Sequence, residues 1–146
     1  MFHRLSMELS DHTTTLLDRL EQLARKRFAC RDDIGTLIEL AYRHEAVETL
    51  DDLSFYAKFS SRTLTIMNRI GKEAEGFDRL SQEFGEGMEK AKALLQSLLT
   101  HAADEDRQRF QETYLALSPA SFDRLLVLLR ELSWYKNYLI DLRARR

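Results

Sequence analysis

The residues best spaced for chemistry in this chain are two histidine–carboxylate pairs. His44 and Glu48, and His101 and Glu105, stand four residues apart, which would put two metal ligands on one face of a helix. Glu73 is a third candidate. It falls inside a hydrophobic repeat, where a carboxylate is costly unless it is paired or bound. A di-iron carboxylate bundle, however, needs Glu-x-x-His on two helices, and that motif does not occur. Both pairs lie in strongly charged stretches, and the chain has four histidines in all, one fewer than a hemerythrin-like site uses. The sequence therefore points to solvated side chains at His44 and Glu48, and to a Glu73 that leans outward beside Gly76. No cofactor is expected.

Cys30 is the only cysteine. Arg27, Arg31 and an expected helix N-terminus around it would favour a thiolate. No histidine is close in sequence, and the residue reads as a half-buried thiol in a helix connection. A single cysteine excludes an internal disulfide framework and suits a reducing compartment. Phosphate-binding glycine loops, dinucleotide fingerprints, Ser/His/Asp orders and zinc spacings are missing. Gly85-Glu86-Gly87 is too short and too acidic to cradle a phosphate.

Aromatic residues carry the strongest hint of a partner. Trp134 and Tyr138 lie one helical turn apart, beside Arg130 and Asn137 and outside the main apolar stripe of their segment. Tryptophan, tyrosine and arginine together have the composition of an interaction hot spot. Phe55, Tyr56 and Phe59 form a second group, and one of its rings is expected off the main stripe.

These residues must be positioned by helices. Twenty-five leucines against two valines, with one proline and five glycines, favour helix, because β-branched side chains lose more rotamer freedom there. No stretch alternates cleanly enough to read as a strand. A seven-residue beat runs through Tyr56, Phe59, Thr63, Ile66, Ile70, Glu73, Phe77, Leu80, Phe84, Gly87, Ala91, Leu94 and Leu98, ten of them apolar. Its flanking residues Met67, Ala74, Ser81, Met88 and Leu95 are uncharged. That makes a wide face suited to a bundle rather than to a two-stranded coiled coil. The beat predicts one central helix over about 53–100, roughly 70 Å long if unbroken, with Gly85 and Gly87 as the place for a break.

Around this spine the sequence predicts a helix from Ser6 to Phe28 and a second that starts at Asp32 or Asp33, either of which can cap it, and runs to Thr49, with a break near Leu50 where Asp51 or Asp52 offers a new cap. A short segment follows from Asp104 to Leu117, and a last helix from Pro119 to about Arg143. Ser118-Pro119 is a start signal, since serine caps and proline fits the first helical position. The last helix carries Leu125, Leu128, Leu132, Tyr135, Leu139 and Leu142 on one stripe.

The formal charge of −2 argues against general nucleic-acid binding, although Arg25, Lys26, Arg27 and Arg31 form a local basic cluster. Residues 32–52 hold seven acids and one base, and residues 118–146 six bases and three acids. The longest apolar run, Leu125–Leu129, is far short of a membrane span. The N-terminus lacks a signal-peptide core, and the chain reads as soluble and cytoplasmic.

The expectation is therefore an all-α protein with one domain over 1–146. It would be an elongated antiparallel bundle of about five helices built on the long central one. Its expected role is non-enzymatic: an adaptor, scaffold or regulatory subunit acting through apolar helix faces, with Trp134, Tyr138 and Arg130 as the partner-binding residues. Self-association is expected, because so long a spine would leave apolar surface uncovered. The alternative is a metal- or small-molecule-binding bundle, in the strongest form an enzyme, with His44, Glu48 and Glu73 as its candidate ligands.

Overall fold

The computed structural model describes residues 31–144, with side chains described as far as Asn137. The expected first helix, Cys30 and the cluster Arg25–Arg27 lie outside the described residues. Within them the chain is all helix, and no strand is present. Five α-helices are described: α1 over residues 31–43, α2 Val47–Ile70, α3 Phe77–Leu99, α4 Asp104–Phe110 and α5 Pro119–Ala144. A π-helical turn, Gln111–Leu115, extends α4. The helices pack on one another as a bundle, with α2 against both α3 and α5.

The single central helix is replaced by the α2–α3 hairpin. The chain breaks not at Gly85 and Gly87, which stay helical, but at Gly71 and Gly76. These have φ of 81° and 88°, a left-handed backbone that other residues adopt at a cost. The Gly71 N–H donates to the Met67 carbonyl and closes α2 (3.0 Å). Ile70 and Phe77, the last and first helical residues, are seven apart. The turn therefore occupies one repeat of the beat, and an unbroken phase reads the same for a rod and for a hairpin.

The beat also holds its expected phase in only one arm. In α3 the wide face is buried as expected: Gly87, Met88, Ala91, Leu95 and Leu98. In α2 the seam is turned by about one residue. Leu53, Ala57 and Ser60 are buried, whereas Tyr56 and Phe59 are half-buried and Ile66 and Ile70 are exposed. Small side chains at the crossing let the two backbones close up. A Cβ on Gly87 would lie 3.1 Å from the Phe59 ring, a tight contact that the ring would have to shift by a few tenths of an ångström to relieve. From Leu64 to Glu86 no residue is buried. Among the described residues that end of the hairpin is two helices deep, because α5 starts level with Phe84, whose ring meets Phe122 edge-on at 5.9 Å.

The other end is sealed by polar contacts. α1 ends at residue 43, ahead of the expected Thr49, and Glu45 takes a positive φ of 54°. Asp51 and Asp52, expected as caps near a break at Leu50, instead lie inside α2. Asp33, expected as a cap for α1, is buried and serves tertiary contacts. It accepts a hydrogen bond from the Tyr114 hydroxyl (2.5 Å) and an ion pair from Arg109 (2.9 Å). Burial works against the Arg109 charge, but Asp33 and Asp106 outweigh it and hold the guanidinium above its ordinary pKa. The last turn of α3 has no basic residue of its own, and α4 provides one. Arg107 donates to the carbonyls of Leu99 (3.1 Å) and Ala102 (3.0 Å), at and just beyond the helix end, where carbonyls lack intrahelical partners. The expected start of α5 is observed, with the Ser121 N–H donating to the Ser118 hydroxyl (3.1 Å).

Candidate functional site

The outer face of α2 is assembled from residues three and four apart, which share one side of a helix. Glu48, Asp52, Phe55, Lys58, Arg62 and Ile66 are all exposed along it. The acids occupy the N-terminal half, the bases the C-terminal half, and Phe55, 62% exposed, stands between them. The large apolar residues left in solvent concentrate here. Phe55, Ile66 and Ile70 lie on α2, and Trp134, 57% exposed, lies on the neighbouring α5; Tyr42 and Leu117 are elsewhere.

Two grooves flank the ridge. On the α3 side a groove of about 560 Å³ is lined by Phe55, Tyr56, Lys90 and Leu94, among others, with the Lys90 ammonium 5.8 Å from the centre of the Tyr56 ring. On the α5 side a groove of about 380 Å³ runs between Lys58, Ser61 and Arg62 of α2 and Arg130, Trp134 and Asn137 of α5. All of its charged residues are cations. None of the three makes an ion pair among the described residues. Asp51, one step round the helix, is held by Lys136 of α5, which pins the two helices beside the groove.

Of the residues singled out in the sequence, Arg130 and Trp134 stand together on the α5 wall of this groove, and Tyr138 has its side chain outside the described residues. Phe55 is the ring that leaves the stripe. Lys58 and Arg62 were not singled out. Their signal was their position three and seven residues after Phe55, visible only once the seam of α2 is known.

The candidate metal ligands do not converge. His44 lies before the start of α2 and Glu73 beyond its end, so a helix of about 36 Å separates them. Glu73 is exposed in the turn. His44 does meet His101, ring on ring, with centroids 4.3 Å apart and planes 11° apart, at the end of the bundle where two connections pass. Among the described residues no group of three or more histidine, cysteine, aspartate or glutamate side chains is placed to hold a metal ion. Nor is any described helix long and apolar enough to cross a membrane. The chain has no significant match among protein-family models, curated proteins or solved structures.

Proposed function

We propose that this chain is a non-enzymatic helical interaction protein, an adaptor, scaffold or regulatory subunit, that works through the outer face of α2 and the adjoining wall of α5. One observation supports the reading above the others. Phe55 and Trp134 are large aromatic side chains left more than half exposed, in a bundle that fills its α2–α3 crossing with alanine, serine and glycine. Aromatics flanked by arginine are the usual anchors of protein interfaces. Lys58, Arg62 and Arg130, which make no ion pair among the described residues, add positive charge to this surface.

The reading is tested by photo-crosslinking in cells that produce the full chain. Benzoylphenylalanine at position 55 or 134 is expected to give a discrete protein adduct on illumination, and the same probe at the exposed positions 85 or 123 none. Trp134→Ala is expected to lower the adduct yield from position 55 several-fold with helix content unchanged. Absence of a discrete adduct from both 55 and 134 would end this reading, as would a Trp134→Ala variant that loses helicity and adduct together.

A further inference from the structure

We infer that the outer face of α2 pairs with the same face of a second copy of the chain, the two helices antiparallel and related by a two-fold axis at Phe55. The inference rests on the interaction reading above and names its partner. Glu48 and Arg62 each stand seven residues from Phe55, and Asp52 and Lys58 each stand three. Reversing the helix about Phe55 therefore brings Arg62 of the second copy level with Glu48, about 10 Å from the axis, and Lys58 level with Asp52. At the axis the two Phe55 rings meet. Along the helix the surface is its own complement in sign, as an isologous contact requires.

The charge order is not explained by α2 alone. Opposite charges at the two ends of a helix answer its dipole, but that effect fades within the first and last turns. It covers Glu48 and Arg69. It does not reach Lys58 and Arg62, two or more turns from the end of α2, and neither makes an ion pair among the described residues. A polyanionic partner fits poorly, since half of the face would repel it. In the pair, Glu48 of one copy faces Arg62 of the other at the mouth of the groove that Arg130 and Trp134 line.

Sedimentation of the purified full chain from roughly 1 to 200 µM tests the pair. A reversible dimer that weakens as salt is raised is expected. Phe55→Asp, Glu48→Arg and Arg62→Glu should each raise the dimer Kd about tenfold or more, since each removes the central contact or sets like charges together. The double variant Glu48→Arg with Arg62→Glu should return it to within about threefold of wild type. Circular dichroism must show unchanged helicity, which the exposure of all three positions favours. A monomer throughout the range, a dimer indifferent to these variants, or no recovery in the double variant would overturn the inference. If it fails while the crosslinks above yield an adduct with a different protein, the interaction reading stands and only the second copy is wrong. If no adduct forms, both fall.

Discussion

Toward its neighbours α2 presents Leu50, Leu53, Ala57 and Ser60, all buried; on the opposite side it presents Glu48, Phe55, Lys58 and Ile66 to water. The two faces reverse the usual division of sizes. Small side chains sit inside at the crossing with Gly87 and Ala91, while a phenylalanine and two isoleucines stay outside with the tryptophan of α5. Close approach of two backbones explains the inside, since a large residue there would hold the helices apart. Among the described residues no packing contact calls for the large residues outside. The stability of α2 therefore belongs to one face, and the proposed interaction belongs to the other.

Truncation on the inner face should show the largest effect. Leu53→Ala empties a fully buried position and should cost about 2–5 kcal/mol in urea unfolding. Gly87→Val would drive methyl groups into the Phe59 ring and should cost about 1–3 kcal/mol by the same measurement. Ser60→Ala should act in the opposite direction. The Ser60 hydroxyl is buried without a hydrogen-bond partner, so removing it should raise stability by about 1 kcal/mol. Phe55→Ala should change stability least, by about 0.5 kcal/mol or less in either direction. A loss at Phe55 comparable to that at Leu53 would erase the distinction between the faces. A loss confined to Leu53 and Gly87 would sharpen it.

How far the sequence reached depends on which forces decide each feature. Local chemistry was legible. Ser118-Pro119 starts α5 because a side-chain cap and a fixed proline φ act within a few residues. The wide apolar face of α3 was legible too, since periodicity records burial directly. The metal candidates were spaced for a helix face, yet only the path of the chain could show His44 beside His101 and Glu73 at the far end of α2.

The break at Gly71 and Gly76 was hidden by arithmetic. A six-residue turn between Ile70 and Phe77 preserves a seven-residue beat, so the pattern alone could not tell one rod from two antiparallel helices. The seam of α2 was hidden for a different reason. Tyr56 and Phe59 have the hydrophobicity of core residues, and Ala57 and Ser60 do not, but the closeness of α3 and α5 decides which set fits between them. Asp33 reads as a helix cap until Tyr114 and Arg109 are brought to it from some eighty residues away.

What the amino-acid order determined by itself is the helical class of the described chain, the start of α5 and the apolar stripe of α3, since each follows from interactions within a few turns of helix. What tertiary structure alone decided is where the spine folds back, which side of α2 is sealed, and that Phe55, Lys58 and Arg62 share a surface with Arg130 and Trp134. Those outcomes depend on how near one helix lies to another, a distance set jointly by residues far apart in the chain.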